Sequence, residues 1–297
     1  MLGKVVLLIE ENILQKKVLC GESSLLGDLR EHGVRIAPGA CKYMQPDDAG
    51  ENSEDTLYIT DSESVYRELK QQGKYVLPYR HEENEGADFA GALYVIEQIE
   101  EVDYETVDMA YRRLACLPWN ILTTKRCIIR ETTVEDVDSF YKIYAESDIT
   151  EYMEDLYADR NEEIVYVEEY RKNVYEFYGY GMWTVLTRDG TVIGRAGLSW
   201  REGFDLPELG FVIGVPWQRQ GYAYEVCRAI LNYAQDELGF TQVQALVMEG
   251  NEKSAALCVK LGFAEDGRAE LEGERYVIYR FSSEAESKPH DATLMQN

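Results

Sequence analysis

Histidine and cysteine are scarce in this chain. Three histidines (His32, His81, His290) and six cysteines (Cys20, Cys41, Cys116, Cys127, Cys227, Cys258) are scattered through 297 residues. The histidines form no ligand or triad pattern and the cysteines no paired spacing, so neither a metal site nor a disulfide framework is expected; free buried thiols are the expected state in a reducing compartment. Basic residues are also in short supply: 30 Lys and Arg stand against 55 Asp and Glu, a formal net charge of -25. Binding a phosphate backbone needs a basic face, so nucleic acid is not an expected partner. No apolar run approaches the roughly 20 residues that a membrane span needs, and Met1 to Ile9 is too short and too soon charged for a signal peptide. A cytoplasmic protein with no membrane partner is the expectation.

What is present suffices for two packed cores: 45% of residues are hydrophobic, and the length exceeds one ordinary domain. Lys4 to Ile9 is a short apolar run fit for a buried strand, Ser24 to His32 reads as a helix stopped by Gly33, and Val34 to Ala37 is extended. Tyr43 to Asp55 is acidic and rich in turn residues, a loop. Thr56 to Thr60 is a strand ending at Asp61-Ser62; Glu63 to Gln72 is a helix closed by Gly73; Tyr75 to Tyr79 is another strand, and Asp103 to Leu114 is helical. Strands alternating with helices predict a small Rossmann-like α/β domain. Pro118 cannot continue a helix, so residues 1-118 are set apart as an accessory domain.

The second half centres on Glu208 to Leu238. Leu209 to Val215 reads as a strand; Ala223, Cys227, Ile230, Leu231, Ala234 and Leu238 recur at helical spacing after it, and Gly221 lies in the turn between them. A turn of this kind leaves the first N–H groups of the helix unpaired beside the positive end of its dipole, a ready anion site. Around it, Arg126 to Glu131 reads as a strand, Thr132 or Thr133 with Glu135 or Asp136 as a capping box, and the helix then runs through Tyr144. Asn161 to Tyr178 reads as a helix with Ile164, Val167, Val174 and Phe177 on its buried stripe. Met182 to Thr187 and Thr191 to Ser199 are strands joined through Asp189-Gly190, a strong hairpin signal. Thr241 to Met248 and Arg275 to Phe281 are further strands, and Ser282 to Asn297 is polar and aperiodic, expected to be disordered.

Gln218-Arg-Gln-Gly-Tyr-Ala223 fits the pattern Gln/Arg-x-x-Gly-x-Gly/Ala and resembles the acyl-CoA diphosphate loop of the GNAT superfamily of N-acyltransferases. Downstream, Asn251-x-x-Ser254-x-x-Leu257 ending in Leu261-Gly-Phe263 resembles that family's second motif, in the right order and context. The resemblance covers Lys125 to Phe281 and implies an α+β GNAT fold, a mixed central sheet flanked by helices, over residues 123-282, with 283-297 as a tail. It implies acetyl-CoA as the cofactor, held by the backbone of Gln220, Gly221, Tyr222 and Ala223 with Gln218 and Arg219 in the loop. Ile213 and Val215 would lie near the pantetheine, with Asn251 and Ser254 further along. Arg219, inside the loop, is the cation expected to matter most there.

The reaction implied is acetyl transfer to a primary amine, either a small cationic amine or a protein N-terminus. An alkylamine with a pKa near ~10.4 is almost wholly protonated at pH 7, so a group must accept its proton. Glu208 stands where many members of the family carry a basic carboxylate; the alternative is a solvated carboxylate among Glu202, Asp205 and Glu208. The family's general acid is often a tyrosine after the leucine of the second motif, where this chain has Cys258, a candidate acid or a small buried packing residue. A rival reading is a non-catalytic acyl-CoA sensor. Acidic runs at Glu151 to Asp159 and Glu202 to Glu208 would steer a cationic acceptor to an acidic mouth that the first domain helps to shape.

The first half, in turn, resembles the haloacid dehalogenase-like fold, with Thr60-Asp61-Ser62 where its later acidic motif would be. Laying Val5 to Leu14 on the first motif puts Ile9 at the nucleophile and Glu11 at the general acid. Isoleucine cannot attack phosphorus, so the resemblance implies a fold kept without phosphatase chemistry. The alternative is an unrelated α/β layer in which Asp61 is an N-cap partner.

Overall fold

The structure is a computed structural model that describes residues 2-19, 25-38, 54-153 and 155-283. The predicted loop at Tyr43 to Asp55 falls mostly, and the predicted tail almost wholly, outside the described residues. The chain divides into two compact units, Met1–Trp119 and Asn120–Asn297. No helix among the described residues is long and apolar enough to cross a membrane.

The first unit is built on a four-stranded parallel sheet. Its strands are β1 (Lys4–Leu8), β2 (Arg35–Pro38), β3 (Thr56–Thr60) and β4 (Tyr75–Pro78), in the order β2-β1-β3-β4. β3 is buried at every position, as a parallel strand covered on both faces must be, and this is why its sequence shows no polar alternation. One face packs Val5, Leu7, Leu57 and Ile59 with helices α1 (Leu25–Glu31) and α3 (Tyr104–Leu114). The other packs Val6, Leu8 and Tyr58 against α2 (Glu63–Gln71) through Tyr66 and Leu69. Between β1 and α1 the chain is helical over Glu11–Ile13 and Leu14–Leu19, where the sequence had signalled no element; Ile13, Leu14 and Val18 turn into the core.

Asp61 does not cap α2. Its Oδ2 accepts the Glu10 N–H at 2.9 Å and lies 3.3 Å from His81 Nε2, so it ties the chain after β1 to the chain after β4. Asn84 Nδ2 then donates to the Asp61 and Tyr79 carbonyls. Ile9 is fully buried. The cap position belongs to Ser62, whose Oγ meets Ser64 Oγ at 3.0 Å and makes no capping bond to the helix N–H groups.

The second unit carries an eight-stranded sheet in the order β11-β12-β10-β9-β8-β7-β6-β5. Its strands are β5 (Asn120–Thr123), β6 (Cys127–Arg130), β7 (Met182–Thr187), β8 (Val192–Ser199), β9 (Glu208–Ile213), β10 (Gln242–Met248), β11 (Ala264–Leu271) and β12 (Glu274–Ser282). Pairing is antiparallel except between β9 and β10. Two of these strands correct the sequence reading. Residues 120–122, between the two expected domains 1-118 and 123-282, belong to β5 at one edge; at the other edge β11 has the polar sequence AEDGRAEL, which offers no apolar alternation to read.

Helices α4 (Val137–Tyr144) and α5 (Arg160–Tyr170) lie with one face of the sheet; α6 (Tyr222–Asp236) and α7 (Glu252–Leu261) pack on the other, where Val226, Ile230, Leu231 and Leu261 meet Leu209, Val243 and Ala245. Asp136 fastens α4 to the strands, accepting two 2.7 Å bonds from Arg130, one from the Thr133 N–H at 2.9 Å and one from Thr184 Oγ1 at 2.9 Å. The long helix after Arg160 departs from its predicted stripe. Phe177 is 77% exposed whereas Tyr175 is fully buried. The cause is a stretch of wider helical turns at Arg171–Tyr175, which shifts the phase by about one residue. Tyr175 Oη then donates to the Met182 carbonyl and accepts the Thr132 N–H at 3.2 Å.

Candidate active site

β9 and β10 are the only parallel neighbours in the described part of this sheet, and they are paired at a single register point, Gln244 opposite Glu208. Beyond it β9 stays on β8 and β10 stays on β12, so the two strands part toward their C-terminal ends. Gln244 closes the narrow end: its N–H donates to the Pro207 carbonyl at 2.9 Å and its Nε2 to the Leu206 carbonyl at 3.0 Å. The wedge that opens exposes a strand edge, a row of backbone groups suited to an extended ligand rich in amides.

Glu208 sits at the closed end of that wedge. It is buried, and Arg201 Nε donates to Oε2 at 2.6 Å while Nη2 lies 3.4 Å from Oε1. The solvated alternative is thereby corrected: Glu202 and Asp205 are exposed, but Glu208 is a sequestered carboxylate held by an arginine. The residues spell out no such pairing, because Arg201 comes from the loop before β9.

β9 ends at Ile213, two residues before the predicted Val215, because Pro216 opens a turn at Val215–Trp217. Val215 is half-exposed and Ile213 buried. Gln218 Nε2 donates back to the Ile213 carbonyl at 2.9 Å and Gln220 Nε2 to the Pro216 carbonyl at 2.7 Å, which folds the loop on itself. Two residues in it are left-handed: Arg219 at φ 58° and Gly221 at φ 82°. A non-glycine residue with positive φ is uncommon, and successive N–H groups turned outward by such conformations form anion-binding concavities. Gly221 then starts α6 with no side-chain cap, and the first bond back into the turn is Glu225 N–H to the Gly221 carbonyl at 3.1 Å. The N–H groups of Tyr222, Ala223 and Tyr224 thus head the helix, where its dipole favours negative charge. These features fit a diphosphate. Arg219 is exposed, and the cation that reaches the loop's backbone is Arg126, from before β6: Nη1 donates to the Gln220 carbonyl at 3.0 Å.

Asn251 and Ser254 are brought together as a helix cap: Asn251 Oδ1 accepts the Ser254 N–H at 3.1 Å at the start of α7. Cys258 is fully buried in the core shared by α6, α7 and the sheet, and burial pushes its thiol up to about 12; the neighbouring Cys227 thiol is pushed up for the same reason. On the opposite face of the sheet a cavity of about 580 Å³ lies among Ile143, Lys142, Val192, Val215 and Trp217.

Residues 126–264 match the family model of the acetyltransferase (GNAT) domain. An uncharacterized N-acetyltransferase, YoaA, of Bacillus subtilis is 26% identical over 149 residues, which is 50% of this chain and 84% of that protein. The [ribosomal protein uS5]-alanine N-acetyltransferase of Escherichia coli is 28% identical over 160 residues, 50% of this chain and 80% of the relative. Among solved structures, an acetyltransferase (GNAT family) from Bacillus anthracis is 19% identical with a TM-score of 0.48, covering 55% of this chain and 98% of its own. The C-terminal half of this chain therefore carries a GNAT acetyltransferase domain. These similarities lend the dehalogenase-like reading of the first unit no support.

Proposed function

We propose that the second unit is an N-acetyltransferase that moves an acetyl group from acetyl-CoA to a primary amine. The observation that carries this reading is the wedge between β9 and β10 leading directly to the left-handed, uncapped start of α6. Residues Gln218 to Ala223 would hold the diphosphate; Ile213, Val215 and the β9 edge would hold the pantetheine arm, with Asn251 and Ser254 beyond it. Bound there, acetyl-CoA supplies an acetyl group activated as a thioester.

The amine must be neutral to attack. Its nitrogen gains the acyl carbon, the carbon–sulfur bond breaks, and one proton leaves the nitrogen while the CoA sulfur departs as thiolate or thiol. Glu208 is the candidate acceptor of that proton, either directly or through water, with Arg201 holding its carboxylate in place. Cys258 is a packing residue in this reading. A thiol at about 12 giving its proton to a thiolate whose own pKa is near ~8.5 runs uphill by about 5 kcal/mol, too costly for an efficient acid.

The ion pair also bears on the acceptor. An α-amine with a pKa of about 7.7–8.0 is neutral in roughly one molecule in ten at pH 7, against fewer than about one in a thousand for an alkylamine. A base already engaged by arginine suits the first better than the second, and the relative named for uS5-alanine acetylation makes a peptide with N-terminal alanine the first acceptor to try. Exposed Glu202 and Asp205 favour a cationic acceptor around that amine.

A CoA-release assay over basic peptides with Ala or Ser amino termini, polyamines, aminoglycosides and free amino acids tests the reading. Turnover of a basic peptide, with kcat/KM falling as salt rises, is expected. CoA binding with no acceptor turned over would favour the second reading, a non-catalytic acyl-CoA sensor, to which the buried Cys258 and the occupied Glu208 also point.

A further inference from the structure

The loop that would hold the diphosphate is braced from a part of the chain that its own motif does not include. Arg126 lies 94 positions before Gln220, yet its guanidinium is engaged on three sides by the start of α6. Nη1 donates to the Gln220 carbonyl at 3.0 Å, and Nε donates to Glu225 Oε2 at 2.6 Å. The guanidinium carbon stands 4.1 Å from the centroid of the Tyr222 ring, within stacking range.

Glu225 is itself pinned, its Oε1 accepting from Thr124 Oγ1 at 2.7 Å and from the Arg126 N–H at 2.8 Å. Burial opposes the Glu225 charge, but these hydrogen bonds outweigh it and hold the carboxyl below its usual range. The remaining nitrogen, Nη2, has no hydrogen-bond partner among the described residues; it lies beside Gly221, 3.6 Å from where a Cβ on that glycine would stand.

Each contact has a consequence for the loop. The bond to the Gln220 carbonyl fixes the peptide plane between Gln220 and Gly221, and so aims the Gly221 N–H. The ring contact fixes Tyr222, the first residue of the helix. The bond to Glu225 neutralises the one carboxylate in the first turn of α6, which would otherwise repel an anion at the helix start. Arginine is suited to all three at once, because its planar fork directs donors along fixed lines while its face stacks; lysine offers a single point charge.

We propose that Arg126 is the positioning residue of the diphosphate loop: it clamps Gln220, Tyr222 and Glu225 in the binding geometry and leaves Nη2 to donate to the diphosphate of the acyl donor. The inference rests on the acetyltransferase reading above and adds to it a residue outside the loop motif.

The test compares two ligands that differ in the diphosphate. Kd values for CoA and for pantetheine, which lacks the nucleotide and its phosphates, are measured by calorimetry or ligand-observed NMR on the full chain. The proteins are the wild type, Arg126→Gln and Arg126→Lys, each checked for folding by thermal melting. The expected result is that Arg126→Gln weakens CoA by about tenfold or more, the loss of charge-assisted bonds, and leaves pantetheine within about twofold. Arg126→Lys, keeping charge without the fork, should fall between wild type and Arg126→Gln for CoA, and the salt dependence of CoA binding should be shallower in Arg126→Gln than in wild type.

Equal weakening of both ligands would overturn the proposal, because a general loss of structure does not distinguish them. So would unchanged CoA affinity in a folded Arg126→Gln protein. Wild-type protein that binds neither ligand would overturn the acetyltransferase reading itself, and this inference with it; the two failures are told apart by the wild-type measurement alone.

Discussion

Replacing Gly221 separates two costs that a structure usually confounds. At φ 82° any L-residue is strained, by about 1–2 kcal/mol for an ordinary side chain and more for a β-branched one. Sterically the site is open: a Cβ would meet only Arg126 Nη2, at 3.6 Å, an ordinary contact. Gly221→Ala should therefore fold, with Tm lower by roughly 2–8 °C for a domain of this size. Ligand binding is a different matter. In the donor-site reading, a methyl group added at Gly221 would stand close to the backbone that a phosphate must approach. Gly221→Ala should weaken CoA by about tenfold, roughly 1.4 kcal/mol, and Gly221→Val by more. Calorimetric titration with CoA reads the second effect and scanning calorimetry the first. If Gly221→Val melts early yet binds CoA as tightly as wild type, the phosphate is not held at this turn and the donor-site assignment fails.

Four other outcomes follow from the same structure. Glu208→Gln should keep CoA binding and lower turnover; a mutant with wild-type turnover would place the base elsewhere. Cys258→Ala should leave turnover within about twofold, since the thiol is buried and remains protonated; a hundredfold loss would restore it as the acid. Stability should fall in alkali, because Cys227, Cys258, Tyr144 and Tyr175 all have pKa values raised by burial in the folded state. The unfolded chain releases these protons first, so their contribution is whole below about pH 9 and is lost as pH climbs toward 12, read as a falling urea midpoint. Tyr175→Phe strands the buried Thr132 N–H and leaves the Met182 carbonyl only the 3.5 Å contact from Thr132 Oγ1; it should cost about 2 kcal/mol, a Tm drop of roughly 4–8 °C by calorimetry.

Local periodicity carried most of the second unit into the sequence. The hairpin at Asp189-Gly190, the capping box at Thr133 and Asp136, and the strand, turn and helix around Gly221 each depend on a few neighbouring residues, and each can be read from them. The first unit was legible as alternating strands and helices, because buried parallel strands are continuous apolar runs. Reading failed where the pattern had no physical reason to show. β11 borders solvent and needs no buried face; β5 has only half-buried and exposed residues; the wide turns at Arg171–Tyr175 shift the helix phase without a proline or glycine to announce it.

The candidate site divides along the same line, and the division matters for its chemistry. Which backbone groups face an anion follows from a glycine and a turn, both local. Which charges act there does not, because ionic partners are chosen in space. Arg126 meets Glu225 across 99 positions, and Glu208 is held by an arginine that its own strand does not contain. A net charge of -25 therefore says little about either end of the wedge. At the closed end Arg201 offsets the buried carboxylate of Glu208; at the diphosphate end Arg126 offsets Glu225, the carboxylate in the first turn of α6. With each of these charges matched locally and the rest screened over about 8 Å in physiological salt, the excess acidity acts only on what approaches from outside. Donor affinity should then depend on Arg126 and Gly221 and hardly on surface acidic residues, whereas the rate of acceptor capture should depend on surface acidic residues and hardly on Arg126.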